Sequence, residues 1–114
     1  MRDNRTKTRR NSPHRINVLM AADDRALGRL VNITVGGLMF LSSESHEVGT
    51  TLNLRLPLPT MANGKTCIQV QGDVAWCAED DNPRFWRVGV EFHNLGAEEG
   101  YIIETVLQRL HLVG

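Results

Sequence analysis

A chain of 114 residues, 41% hydrophobic and 23% charged, has the size and composition of one globular domain, long enough to bury roughly two-thirds of its unfolded surface in a single core. Its 13 Lys and Arg balance 13 Asp and Glu, but six of the basic residues and only Asp3 of the acidic ones fall in the first fifteen positions, leaving that segment at +5 and the other 99 residues at −5. This excludes the body as a general polyanion surface, and the lack of an apolar run near ~18 residues excludes a membrane-spanning helix.

Residues 1–14 read as a flexible basic arm, and residues 15–114 as one β-barrel domain with a C-terminal helix. The arm carries Arg2, Arg5, Lys7, Arg9 and Arg10, followed by Asn11, Ser12 and Pro13 rather than the apolar stretch of a signal peptide, so the expected location is cytoplasmic. From Arg15 onward apolar residues alternate with polar ones, the period of half-buried strands. Short strands are predicted at 16–20, 27–33, 38–41 and 51–58, separated by Asp23-Asp24, Gly36-Gly37 and a Ser-rich loop around Ser42 to Gly49.

Two longer strands follow. In the first, Ile68, Val70, Val74 and Trp76 share one parity and are predicted to face the core, with Gln69, Gln71 and Asp73 facing water. In the second, Trp86, Val88, Val90 and Phe92 take the inner parity, with Arg87, Gly89, Glu91 and His93 outside. Glu79-Asp80-Asp81-Asn82-Pro83 supplies turn formers and a strand breaker between them, so the pair reads as a hairpin. Gly72 sits mid-strand, where a missing side chain suits a bulge or the bend that closes a barrel. The chain ends with Ile102, Ile103, Val106, Leu107 and Leu110 at helical spacing behind an acidic first turn, Glu98-Glu99, predicting one amphipathic helix laid as a lid on the core.

The residue types that carry chemistry are scattered. His14, His46, His93 and His111 show no metal-ligand spacing, and no metal site is expected. Cys67 and Cys77 would lie about 33 Å apart on one continuous strand at ~3.3 Å per residue, far beyond disulfide reach, so both thiols are expected free. The acidic clusters fall in predicted turns, and neither a nucleophile elbow nor a phosphate-cradling glycine loop occurs. The chain is expected not to be an enzyme and to need no cofactor.

Two segments suit a ligand. Arg9-Arg10-Asn11-Ser12-Pro13-His14-Arg15 runs into the first strand, and guanidinium groups match phosphate oxygens or the O6/N7 edge of guanine and stack on bases. Asn32-Ile33-Thr34-Val35-Gly36-Gly37, at the end of the second strand, offers short polar side chains and glycines that allow unusual φ values and close backbone approach. Taken alone, a basic arm is more often a solvated tail, and Asn and Gly here are more often a hairpin turn.

Together with the barrel pattern, the two segments resemble the PilZ family, whose members bind cyclic di-GMP through an Arg-x-x-x-Arg arm and a following [Asp/Asn]-x-Ser-x-x-Gly strand motif. Gly72-Asp73-Val74-Ala75-Trp76 resembles the family's Gly-x-Val-x-Trp strand, and Val88-Gly89-Val90-Glu91-Phe92 its Gly-[Val/Ile]-x-Phe strand. The resemblance implies a mostly β fold, a six-stranded PilZ-like barrel with a C-terminal helix. It further implies that Arg10 and Arg15 grip guanine faces and phosphates, with Arg9 as the additional arginine that often precedes the pair. Asn32 would hydrogen-bond a guanine edge, Thr34 would offer the hydroxyl of the family's Ser, and Gly36 and Gly37 would let the ligand approach, a Cβ at Gly37 crowding it.

The chain departs from the family pattern in three ways. Arg10 and Arg15 enclose four residues rather than three, the literal spacing occurring only at Arg5 and Arg9, farther from the strand. Asn32 replaces an Asp, and Thr34 replaces a Ser. The last two changes are expected to weaken binding modestly, since charge-assisted hydrogen bonds are about twice as strong as neutral ones.

The resemblance implies a receptor or adaptor that binds cyclic di-GMP, with room for two molecules per domain because Arg9 precedes the pair, and that signals to an effector protein as its arm becomes ordered. No membrane and no specific nucleic acid are expected as partners. Two alternatives stand beside it: a degenerate PilZ adaptor that has lost the nucleotide, and a barrel that binds nucleic acid nonspecifically. The negative body and the shortage of exposed aromatic positions argue against the second.

Overall fold

The computed structural model describes residues 15–110. Six antiparallel strands close into a barrel: β1 (Asn17–Met20), β2 (Ala26–Thr34), β3 (Gly37–Ser42), β4 (Thr51–Ala62), β5 (Lys65–Glu79) and β6 (Trp86–Phe92). Their order around the barrel is β1-β2-β3-β6-β5-β4. The strands predicted from alternation all form, and the two long ones pair as the expected hairpin, with Glu79 opposite Trp86.

The alternation closes the barrel by filling it. Val18, Leu30, Phe40, Leu54, Leu56, Ile68, Val74 and Val88 are at most 1% exposed and supply the interior from all six strands. At ~25 cal/mol per Å², each such side chain contributes about 1.5–3 kcal/mol, which is why one face of every strand must stay apolar. The C-terminal segment begins as α1 (Ala97–Ile102), widens into a π-helical turn over Ile103–Leu107 and tightens into a 3-10 turn at Gln108–Leu110. Ile102, Ile103 and Leu107 are buried, and Gln108 Nε2 donates to the Ile33 carbonyl of β2 at 3.4 Å. The segment thus covers the core as expected, but with changing helical pitch rather than as one regular helix.

Three expectations need correction. The inner parity of β5 does not run through to Trp76. Register shifts between Val74 and Trp76, where Val74 faces Val90 but Trp76 faces Gly89, so a bulge at Ala75 inserts one residue. Because side chains alternate with period two, one inserted residue turns all that follow to the other face. Trp76 therefore emerges 43% exposed, and Cys77 packs against the core in its place. Gly72 is not the bulge. It is buried, paired on both sides, and a Cβ there would strike the Glu91 carbonyl and Val90 Cγ1 of β6. Finally, neither Gly36 nor Gly37 has positive φ; among the described residues the glycines with positive φ are Gly49 and Gly64. Cys67 and Cys77 both lie on β5 as free thiols.

Candidate functional site

A second bulge, in β2, sets the other half of the outer surface. Leu30 pairs with Phe40 but Asn32 with Met39, so one residue is inserted around Val31 and Asn32 is turned outward. Following the ladders across the sheet, Asn32 of β2 lies beside Met39 of β3, Met39 beside Gly89 of β6, and Gly89 beside Trp76 of β5. Three strand spacings of ~4.8 Å, roughly 14 Å along the sheet, separate the Asn32 and Trp76 backbones. The next outward row is Thr34, Gly37, Glu91 and Asp73. The two rows bound an open groove of about 330 Å³ whose lining includes Asn32, Thr34, Met39, Trp76 and Glu91.

Each position has a local reason. Thr34 Oγ1 accepts the Gly36 N–H at 3.1 Å, closing the β2–β3 turn, and the Gly36 carbonyl accepts the Phe92 N–H at 3.0 Å, tying the turn to β6. The Thr34 hydroxyl hydrogen engages no other group among the described residues. Gly37 is dictated by the barrel rather than by a ligand: a Cβ would collide with the Val90 carbonyl oxygen and lie 3.3 Å from the Glu91 Cα. A Cβ on Gly36 would meet only Thr34 Oγ1 at 3.6 Å, ordinary contact. Gly89 carries no side chain because Trp76 occupies that space; a Cβ would overlap the indole Nε1 and Cε2 and come 2.8 Å from Cδ1. The indole therefore lies on the backbone of β6 with its outer side open to solvent.

Arg15 is exposed. Asn17 pairs with Arg29, and the Leu30 N–H donates to the Ile16 carbonyl at 2.8 Å. Continued by one residue, that register brings Arg15 opposite Val31, next to Asn32 and at the end of the row farthest from Trp76. Burial of Ile16 and Val18 puts Arg15 on the outward parity. Arg9 and Arg10 lie outside the described residues, as does most of the basic arm. Five of the seven residues named from the sequence, Arg15, Asn32, Thr34, Gly36 and Gly37, thus gather at one end of one outer face, but Gly36 and Gly37 act there as backbone.

Trp76 is the residue that sequence reading missed, because strict alternation sends it inward. Its signal was Gly89: a glycine on the outer parity of a central strand marks a place where something lies across the backbone. Beyond Met39 the surface continues into a second groove of about 430 Å³ that Arg29, Leu41, Phe85 and Arg87 help to line. Arg87 is held there by Asp80, Nε to Oδ1 at 3.6 Å.

At the opposite end of the row that begins at Thr34, Asp73 joins two neighbours. Thr51 Oγ1 donates to Asp73 Oδ1 at 2.7 Å, and His93 Nε2 lies 2.9 Å from Asp73 Oδ2. The hydrogen bond from His93, then that from Thr51, holds the Asp73 carboxyl below its ordinary pKa.

The family model for the PilZ domain matches residues 3–110. No curated protein matches the sequence. Among solved structures, the Bacillus subtilis inhibitor of motility MotI/DgrA is similar with a TM-score of 0.63 at 18% identity, covering 91% of this chain and 49% of that one. The likeness is one of fold, and the chain spans about half the length of that protein.

Proposed function

Since the chain belongs to the PilZ domain family, a family of cyclic di-GMP receptors and adaptors, we propose that it binds cyclic di-GMP on the outer face of β2, β3, β6 and β5 and passes the signal to an effector protein. The observation that carries this reading is the row from Asn32 to Trp76, with Thr34 beside it, and the β1–β2 register, extended by one residue, brings Arg15 to its end. It joins, on one continuous surface, a hydrogen-bonding amide, a hydroxyl, a cation and an open aromatic face. These are the groups that a cyclic dinucleotide's guanine edges, phosphates and ring faces require.

Roles follow from chemistry and place. Arg15 pairs with a phosphate or stacks on a guanine at the β1 end, joined by Arg9 and Arg10 from the arm. Asn32 hydrogen-bonds a guanine edge and Thr34 donates its hydroxyl. Trp76 stacks on a base at the far end, a contribution of about 1–3 kcal/mol. Fixing arm residues costs about 1–2 kcal/mol each, so only a ligand with several charge-assisted contacts can hold the arm in place, which makes its ordering a readable state. A second, stacked dinucleotide would extend over Met39 toward Arg29 and Arg87, the surface that binding of two molecules would use.

Isothermal titration of the purified protein with cyclic di-GMP, with GMP and with a short single-stranded oligonucleotide tests the reading. Saturable heat with cyclic di-GMP alone is expected, with the endpoint giving one or two molecules per chain. No heat at high micromolar cyclic di-GMP would overturn the proposal and favour an adaptor that has lost the nucleotide. Heat with the oligonucleotide alone would favour nonspecific nucleic-acid binding.

A further inference from the structure

Trp76 faces outward only because the strand bulges at Ala75, and the bulge is gripped from both sides by one loop. Regular pairing between β4 and β5 ends at Thr51 and Asp73. Beyond it the β3–β4 loop takes over the vacated edge. Gly49 N–H donates to the Val74 carbonyl at 2.8 Å and Val74 N–H to the Thr50 carbonyl at 2.9 Å, immediately before the bulge. Immediately after it, the His46 backbone N–H donates to Cys77 Sγ at 3.4 Å.

The loop's own anchor is the His46 ring, half-buried and set edge-on to Phe40, centroids 5.6 Å apart at 75°. Its Nε2 lies 3.3 Å from Ser42 Oγ, and Ser42, 1% exposed, already accepts the Glu44 N–H at 3.1 Å. That arrangement suits a neutral imidazole that accepts the Ser42 hydroxyl proton. A protonated ring carries a hydrogen on Nε2, so it can no longer accept the Ser42 hydroxyl, and it places a charge at a half-buried position.

We propose that His46 is a positioning residue for Trp76: neutral, it seats the 46–50 loop that holds the β5 bulge, and protonated, it unseats the loop and releases the indole from Gly89. The groups around the ring act in both directions, and the net effect is a lowering. Burial lowers its pKa below 6.5 most strongly; Glu44 opposes this, and Arg25, 3.9 Å from Glu44 in an ion pair, adds to it. Cys77 meets His46 through the backbone N–H. A depressed histidine pKa contributes stability that is full above its unfolded value of 6.5 and is lost as pH falls through the folded value, so acid opens the clamp.

The consequence for ligand binding rests on the cyclic di-GMP reading above, whereas the clamp itself does not. In a Trp86→Phe protein, Trp76 is the only tryptophan, and its emission maximum and acrylamide quenching are followed from pH 8 to 5. A red shift and greater quenching with a midpoint below 6.5 are expected in the parent, and none in His46→Gln, whose side chain cannot take up charge; the substitution subtracts every other titrating group. At pH 7.5, Cys77→Ala should shift the emission the same way, with Cys77→Ser restoring it.

Calorimetry at pH 7.5 and 5.5 should show cyclic di-GMP affinity about fivefold lower in acid for the parent, and no such change in His46→Gln. Trp76 emission that stays constant with pH, or moves equally in His46→Gln, would overturn the proposal. Emission that behaves as expected while no cyclic di-GMP binds at pH 7.5 would sustain the clamp and overturn the receptor reading instead.

Discussion

Replacing Gly89 with alanine isolates the contribution of the indole face without touching any group proposed to contact ligand by hydrogen bond or charge. The added Cβ would enter the space of Trp76 Nε1 and Cε2 and displace the ring. Trp76 is 43% exposed, so the ring can swing into solvent at small cost to the fold, and alanine in a strand recovers about 0.5–1 kcal/mol of backbone entropy relative to glycine. Stability should therefore change by less than about 1 kcal/mol, while a stacking contribution of about 1–3 kcal/mol is lost from binding, roughly a 5- to 150-fold weaker Kd.

Gly37→Ala provides the contrast. Its Cβ meets the Val90 carbonyl, which cannot swing away, so it should cost about 1–3 kcal/mol of stability. Thermal unfolding and calorimetric titration of both variants measure the two quantities. A double-mutant cycle with Trp76→Ala completes the test, since Gly89→Ala should have no further effect once the indole is gone. Full affinity in Gly89→Ala, or an undiminished loss on the Trp76→Ala background, would refute the stacking role.

Arg15→Ala should abolish detectable cyclic di-GMP binding and leave the melting temperature unchanged, because the side chain stands outside the barrel between buried Ile16 and the arm; retained affinity would place the phosphate contact elsewhere. Asn32→Asp should tighten binding severalfold by turning a neutral hydrogen bond to guanine N–H donors into a charged one, and an unchanged titration would show that Asn32 does not meet a guanine edge. His93→Ala should raise the Asp73 pKa toward 3.8, since His93 is the largest cause of its depression. In the intact protein the stabilising effect of that carboxylate is complete above the unfolded value and fades as pH falls through the lower folded one, which a carbon-13 titration of the Asp73 carboxyl follows directly.

How far the sequence could be read depended on what each residue's position required. Ile68, Val70 and Val74, or Val88 and Val90, announce a strand because burial of one face is a condition of folding, and every such residue repeats the same message. The bulges at Val31 and Ala75 carry no such redundancy. A single inserted residue is invisible where apolar residues stand on both sides of it, as in Val74-Ala75-Trp76-Cys77, where either Trp76 or Cys77 can complete the core. The loop settles the matter by bonding Val74 and Cys77, contacts between segments that no local pattern contains. The same applies to Gly37, whose need for a bare backbone comes from Val90, over fifty positions away. The C-terminal helix was legible as an apolar stripe, but its adjacent buried pair, Ile102 and Ile103, fits the passage from α to π pitch better than one regular helix.

β1 is the shortest stave of the barrel: four residues, of which three pair with β2 and two with β4. It is also the root of the basic segment, since Arg15 leads straight into Ile16 and Val18, both sealed in the core. A pull on that segment is therefore not absorbed by a hinge. It loads the narrow β1–β4 seam, where Leu19 pairs with Arg55 and Met20 with Leu54, and the Ala21 N–H donates to the Asn53 carbonyl at 2.9 Å just beyond them. Whatever draws the chain ahead of Arg15 across the outer face also tightens or strains the joint on which closure of the whole cylinder depends.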